Sequence, residues 1–224
     1  MSQASGFKVF VLFVLLSGWA CFADAGPKEG ANFYSLNSTD SLIQEYENPG
    51  RAAWQKPEKV IEYLMIKPGN IIADIGSGTG YFSVLLARKA GEHGTVYAVD
   101  SDREMIAYLE KRVKSEGHVN IRPVLAKSND PLLPKATVDL IFICNTYMFI
   151  ENREQYLLRL KDNLKSDGRL AIVSYNKTET LEGPPLHTRV SRDKTIQEAQ
   201  KAGFVLEAEY YFLPYQHFLT FVKR

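Results

Sequence analysis

One stretch constrains this chain more than any other: "IIADIGSGTGYFSVLLA", Ile71 to Ala87. It begins as a strand and ends as a helix. Between the two lie Gly76, Gly78 and Gly80, with Asp74 just ahead of them. Glycines spaced in this way let a ligand approach the backbone closely at a helix N-terminus, where N–H groups stand free. A bare strand-to-helix turn needs fewer, and each glycine forgoes roughly 0.5–1 kcal/mol relative to alanine. The loop therefore reads as a ligand cradle.

The chain around this loop alternates. "PEKVIEYLMI" starts with proline and carries apolar residues at helical spacing. "IIADI" and "GTVYAVD" read as strands, separated by the helix "GYFSVLLARKAG", which Gly91 closes. "DREMIAYLEKRVKSEG" is an amphipathic helix with Met105, Ile106, Leu109 and Val113 on one face. "VNIRPVLA" and "TVDLIFICN" are strands, and the second carries a continuous apolar run, as expected of the centre of a parallel sheet. "REQYLLRLKDNLKSDG" reads as a helix stopped by Gly168, followed by the strand "RLAIVSY". "SRDKTIQEAQKAG" is a serine-capped helix. "FVLEAEYYFLP" and "YQHFLTFVK" are closing strands paired antiparallel. This order predicts an α/β chain: a Rossmann-like three-layer αβα sandwich with a seven-stranded, mostly parallel sheet and an antiparallel C-terminal strand. In such folds ligands sit at the carboxyl ends of the strands, near the topological switch point, and the glycines fall at one such end.

The spacing of the loop narrows the ligand. It is G-x-G-x-G, with Tyr81 where the dinucleotide fingerprint G-x-G-x-x-G has glycine. Asp74 would repel a pyrophosphate but suits an ammonium group. Asp100 ends the next strand, where an acidic residue holds ribose hydroxyls in dinucleotide folds. A ligand with a ribose, a cationic amino-acid end and no phosphate satisfies all three features, and S-adenosylmethionine has that shape. A nicotinamide oxidoreductase is opposed by the same spacing and by Asp74.

These residues resemble a known family. "ADIGSGTGYFSVLLA" followed by "VYAVD" is similar to motif I and the following acidic motif of class I S-adenosylmethionine-dependent methyltransferases. The resemblance continues through "DPLLPKATVDLIF", "LKDNLKSDGRLAIV" and "AGF", over roughly residues 54–222. Closer still are exported bacterial methyltransferase-domain proteins, which share a leader, a "WQKPEKVI"-like segment, an "NTY" after the fourth strand, a "GPP" loop and a "FLPYQ" end. In that group "NTY" is often followed by two histidines, where this chain has Met148 and Phe149. The resemblance implies S-adenosyl-L-methionine as cofactor. Asp74, Gly76, Ser77, Gly78 and Gly80 would hold its methionine end, Asp100 the ribose diol, and Ser101 and Asp102 would lie beside the adenosine. Ser128 or Asn129 would reach the adenine edge, unless they form an exposed turn.

Methyl transfer from a sulfonium asks the protein mainly for position. The candidates for the methyl side are Asn145, Thr146 and Tyr147, which alternatively cap a strand end. His187 and Arg189, in "GPPLHTR", belong to a loop folding over the sheet edge: His187 to take a proton, Arg189 to hold an acidic acceptor, or both solvated. Trp54 either walls the pocket or packs on the first helix. Tyr147, His187 and Arg189 are the catalytic candidates. The expected activity is methyl transfer to a small-molecule or exposed side-chain acceptor. The alternative is an exported S-adenosylmethionine- or nucleoside-binding protein without catalysis. No H-x-H, C-x-x-C or H-E-x-x-H spacing occurs, so no metal site is expected.

Residues 1–25 stand apart. Lys8 precedes an unbroken apolar run, Val9 to Leu16, and Ala23-Asp24-Ala25 offers small residues at the two positions a signal peptidase reads. The run is short for a bilayer span of about 20 residues. It reads as a cleaved leader, with an uncleaved anchor or a core helix as alternatives, and places the mature protein in the periplasm or outside the cell. Cleavage removes Cys21 and leaves Cys144, in apolar "LIFIC", as a lone buried thiol with no disulfide partner. Residues 26–57 form a polar linker or cap with a short helix over "STDSLIQEYE", and 58–224 the catalytic domain. The 27 basic and 26 acidic residues balance, so composition gives no footprint for nucleic acid or an anionic membrane surface.

Overall fold

The computed structural model describes residues 39–224; the leader and residues 26–38 of the expected cap lie outside them. Three short helices come first: α1 (Thr39–Tyr46), α2 (Arg51–Gln55) and α3 (Pro57–Tyr63). Then follow β1 (Ile71–Ile75), α4 (Tyr81–Ala90), β2 (Thr95–Asp100), α5 (Arg103–Glu116), β3 (Ile121–Leu125) and β4 (Val138–Cys144). The chain closes with α6 (Arg153–Asn163), β5 (Leu164–Tyr175), α7 (Arg192–Lys201), β6 (Phe204–Tyr210) and β7 (Gln216–Lys223), with 3-10 turns at 147–149 and 186–188.

The seven strands form one sheet in the order β3-β2-β1-β4-β5-β7-β6. Strands β1 to β5 pair parallel, and β7 runs antiparallel between β5 and β6. The order reverses between β1 and β4, which opens a crevice above their carboxyl ends. Strand β4 explains why the sheet is covered on both sides. Its "VDLIFIC" is buried at all but Asp139, and successive side chains enter opposite layers. Ile141 and Ile143 pack with Leu157 and Leu160 of α6 and Ala199 of α7. Leu140 and Phe142 pack with Val60 of α3, Leu86 of α4 and Leu109 of α5. Full burial of such side chains is worth about 1.5–3 kcal/mol each.

The helix ends follow their local chemistry. Asp102 caps α5 by accepting the backbone N–H of Glu104 at 2.8 Å and of Met105 at 3.3 Å. Ser191 caps α7 by accepting the N–H of Lys194. One boundary departs from the sequence reading. Helix α6 ends at Asn163 rather than Gly168, and β5 already starts at Leu164. Asn163 turns its amide onto the carbonyls of Leu133 and Pro134, and buried Leu164 pairs with Val138. Gly168 is therefore a strand glycine. A Cβ there would stand 3.0 Å from the Val138 carbonyl oxygen, so it permits a close backbone approach where the register shifts.

Candidate active site

The glycine loop leaves β1 at the crevice and bends back under three positive φ angles, 73° at Gly76, 53° at Gly78 and 85° at Gly80. At Gly76 the reason is also steric: a Cβ would come within 2.1 Å of Thr146 Oγ1 at the end of β4. The glycines thus bring two strand ends together as well as opening backbone to a ligand. The N–H of Gly78 donates to Asp100 Oδ2 at 2.8 Å, and that of Asp102 to Asp100 Oδ1 at 3.0 Å. These bonds aim the Asp100 carboxylate across the loop. Burial raises its pKa, against the pull of those N–H groups.

A cavity of about 660 Å³ fills the crevice. Its floor is Asp74, Gly76, Ser77, Gly78, Asp100, Ser101, Asp102 and Ser128 on one side, and Asn145 and Thr146 on the other. Asp74 is buried and accepts the Ser83 hydroxyl at 2.6 Å; loss of water lifts its pKa from 3.8 to about 7. Ser77 is 8% exposed and its hydroxyl finds no partner among the described residues, as a polar group reserved for a ligand would. A lining with one buried carboxylate, a second fixed by backbone N–H groups and an unmet hydroxyl fits a ligand such as S-adenosylmethionine, which carries an ammonium group and ribose hydroxyls. Asp102 spends its carboxylate on capping α5, so it borders the cavity as a structural residue.

The N-terminal helices supply a wall that composition reads as linker. Leu42, Glu45 and Tyr46 of α1 line the cavity, as do Arg51 and Trp54 of α2. The Arg51 guanidinium lies 4.2 Å from the centre of the Tyr81 ring. Trp54 stands 5.8 Å from Tyr175 and 6.2 Å from Tyr215, ring centre to ring centre. Phe149 lines the cavity at one of the positions where the resembled group often carries histidine, and Met148 is buried in the core. Cys144 also faces the cavity, but burial pushes its thiol up to about 12, so it is no nucleophile. Among the described residues no group of His, Cys, Asp and Glu is arranged to hold a metal ion.

The three residues expected to be catalytic do not meet here. Tyr147 is fully buried, and its hydroxyl donates to Glu198 Oε2 at 2.7 Å, beside the Arg153–Glu198 ion pair. The 3-10 turn at 147–149 swings it into the core, and burial raises its pKa. Arg189 is buried as well. Its guanidinium donates to the carbonyls of Pro184, Asn176, Thr178 and Glu182 and to the Thr180 hydroxyl, clamping the loop 176–184 from behind. His187 lies exposed in the turn at 186–188, outside the cavity wall. Asn129 sits at an exposed tip between Lys127 and Asp130, whose backbones pair, and leaves Ser128 alone on the cavity. Sequence reasoning missed Glu45, Arg51, Glu182 and Tyr156 as lining residues. Their shared signal is weak, because they belong to segments remote in the chain that only the cap and loop bring together.

A family model described as "Methyltransferase domain" matches residues 66–211. The chain is 24% identical over 159 residues to the ubiquinone/menaquinone biosynthesis C-methyltransferase UbiE of Teredinibacter turnerae, covering 70% of this chain and 63% of that protein. It is 27% identical over 118 residues to the protein of that name from Hydrogenovibrio crunogenus, where it spans 46% of the relative's length. The chain thus spans about half to two thirds of the curated relatives it matches. Among solved structures, a SAM-dependent methyltransferase from Aquifex aeolicus aligns with a TM-score of 0.78 at 29% identity, over 83% of this chain and 98% of that one. Geranyl diphosphate C-methyltransferase from Streptomyces coelicolor aligns at 0.66 with 13% identity, over 83% and 85%, and shares the fold. With the family model matched over most of the chain and the fold shared with these structures, the chain belongs to the methyltransferase-domain family of class I S-adenosylmethionine-dependent methyltransferases.

Proposed function

We propose that this protein transfers a methyl group from S-adenosyl-L-methionine to a small molecule, or to an exposed side chain, that enters the cavity beside Trp54 and Tyr175. The observation that carries this reading is Asp100, held by the Gly78 and Asp102 N–H groups at the rim of a cavity that is aromatic on its other side. Asp74 would take the ammonium group and Asp100 the ribose hydroxyls; Ser101 and Ser128 would flank the adenosine. When bound, the cofactor would supply an electrophilic methyl carbon to a nucleophilic acceptor. The chain's own task is orientation and exclusion of water, which account for roughly 7–11 kcal/mol in well-aligned reactions.

The acceptor side is Trp54, Phe149 and Tyr175, with Glu45 and Glu182 at its edge. A flat, largely apolar acceptor suits that wall, in keeping with the quinone chemistry in the names of the relatives. Partial burial raises the pKa of Glu45, opposed by Arg51 and aided by the neighbouring Glu182. It is the group we assign to take a proton when the acceptor must lose one. Incubation with S-adenosylmethionine and a panel of phenols, quinols and amines, with S-adenosylhomocysteine read by mass spectrometry, tests the activity. Acceptor-dependent product supports it. Tight cofactor binding with no turnover on any acceptor supports the second reading, a binding protein, which is favoured by the absence of Tyr147, His187 and Arg189 from the cavity.

We also propose that the mature protein acts outside the cytoplasm, on the strength of the Lys8, apolar and Ala23-Asp24-Ala25 order. N-terminal sequencing of the protein expressed from Met1 tests this. A periplasmic or secreted product starting at Gly26 supports export; an intact Met1 start in the cytoplasm opposes it.

A further inference from the structure

Three segments remote in the chain each contribute one carboxamide to a single closed ring: "WQKPEKVI", "NTY" and "FLPYQ". Gln55 Nε2 donates to Gln216 Oε1 at 2.8 Å, Gln216 Nε2 donates to Asn145 Oδ1, and Asn145 Nδ2 donates to Gln55 Oε1 at 3.0 Å. Each amide thus passes an N–H to the next and the ring closes head to tail, with a longer cross-bond from Gln216 Nε2 to Gln55 Oε1 at 3.5 Å. Gln55 is 0% and Gln216 3% exposed. Buried carboxamides carry a penalty unless every one finds its partner, whereas apolar residues of the same shape would fill the space without that demand. Such a ring specifies one arrangement of the elements it joins.

The joined elements are the end of α2, the end of β4 and the start of β7. Asn145 takes a left-handed backbone, φ 60°, with its N–H on the Val173 carbonyl at 2.9 Å, and lines the cavity. Trp54 precedes Gln55 in the chain, and Tyr175 is the register partner of Gln216. The ring therefore sits where the two aromatic rings of the acceptor wall are brought together. The other end of the cap is fastened on the cofactor side: Glu47 accepts from Arg112 at 2.8 Å and from the Thr79 hydroxyl in the glycine loop.

We propose that Gln55, Asn145 and Gln216 form a positioning ring that latches the N-terminal cap to the carboxyl edge of the sheet, sets Trp54 beside Tyr175, and couples that wall to occupancy of the glycine loop. Gln55 and Gln216 are not in the cavity wall, so both act through Asn145 and Trp54. The coupling rests on the proposed methyltransferase reading; the latch does not.

The test uses the full chain with Trp19→Phe, which leaves Trp54 as the only indole of the two tryptophans. Gln55→Met, Gln216→Met and the double variant are compared by acrylamide quenching of Trp54, with and without S-adenosylhomocysteine, and by calorimetric affinity for it. Circular dichroism checks folding. Each single variant is expected to raise quenching about twofold and to weaken binding about tenfold, with the double variant no worse than either, because one cut opens the ring. Quenching and affinity unchanged in both single variants overturn the latch, and losses that add in the double variant overturn the ring as a unit. If a methionine variant does not fold, Gln55→Glu replaces it, keeping the acceptor for Asn145 and removing the donor to Gln216. It is expected to free Trp54 in the same direction, and unchanged quenching overturns the latch. A parent protein that binds no S-adenosylhomocysteine sinks the methyltransferase reading and the coupling, while the quenching comparison still decides the latch.

Discussion

Asp74 is where binding and stability pull in opposite directions. Burial holds its pKa near 7 in the folded protein against an ordinary 3.8, so above neutrality the fold carries a buried carboxylate that the Ser83 hydroxyl and the charge of Arg51 offset only in part. The folded state binds the proton more tightly than the unfolded one, so stability falls as pH rises from about 4 to about 7 and then levels. Asp74→Asn is therefore expected to raise the melting temperature at pH 8, by on the order of 2–4 kcal/mol of stability, and to gain little at pH 4. The same variant should bind S-adenosylhomocysteine about tenfold more weakly, and the wild-type protein should bind it more tightly at pH 8 than at pH 6, because binding at pH 6 must first release the Asp74 proton that is already gone at pH 8. Melting curves and calorimetry across that range decide both. Tyr147→Phe makes the opposite case: it should cost about 1 kcal/mol by denaturant titration and leave cofactor affinity unchanged, because its hydroxyl serves Glu198 in the core. Asp74 and Asp100 were legible in the sequence because the glycines fix their place within a few residues. Tyr147 was not, because a single 3-10 turn decides which side of the sheet edge it faces.

At the scale of elements, the loop 176–184 depends on one side chain. Arg189 holds it through four carbonyls and a hydroxyl, and the loop in turn presents Glu182 and Gly183 to the cavity. Arg189→Met is expected to make this loop the first site of limited proteolysis and to raise KM for an acceptor more than it lowers kcat; a proteolysis pattern unchanged from wild type contradicts the clamp. The Gly76–Thr146 contact gives a second expectation. Gly76→Ala should destabilise the protein by about 1–3 kcal/mol, from its φ of 73° and the 2.1 Å approach to Thr146 together, and Thr146→Ala should recover part of that loss in melting experiments. Most elements were readable from apolar period and end signals, such as Ser191 before α7 and Gly91 after α4. The α6–β5 boundary was not. Gly168 looks like a helix stop in one dimension and is a close strand contact in three, and the amide of Asn163 ends the helix five residues earlier.

The whole molecule joins a sheet whose mostly parallel strands were implied by alternation to a cap whose place was not. Within the polar residues 39–56 an aromatic wall was legible as one alternative for Trp54, but nothing announces that Glu45 and Arg51 will join it, since Arg51 meets Tyr81 of α4 and Glu45 faces Glu182 of the loop at 176–184. The cap is held by a few long-range contacts: Glu47 to Arg112, Gln55 to Gln216, and Lys56 Nζ to the Phe212 carbonyl at 2.8 Å. Among the described residues no helix is long and apolar enough to cross a membrane. The central claim is that this cavity is a cofactor site built around Asp100. Calorimetry of the purified protein with S-adenosylmethionine, S-adenosylhomocysteine and NAD, repeated on Asp100→Ala, tests it most directly. Binding of the first two, none of NAD, and a loss of about tenfold or more in the variant, the worth of one charged hydrogen bond, is the predicted result. Equal affinity in wild type and Asp100→Ala, or preference for NAD, would contradict it.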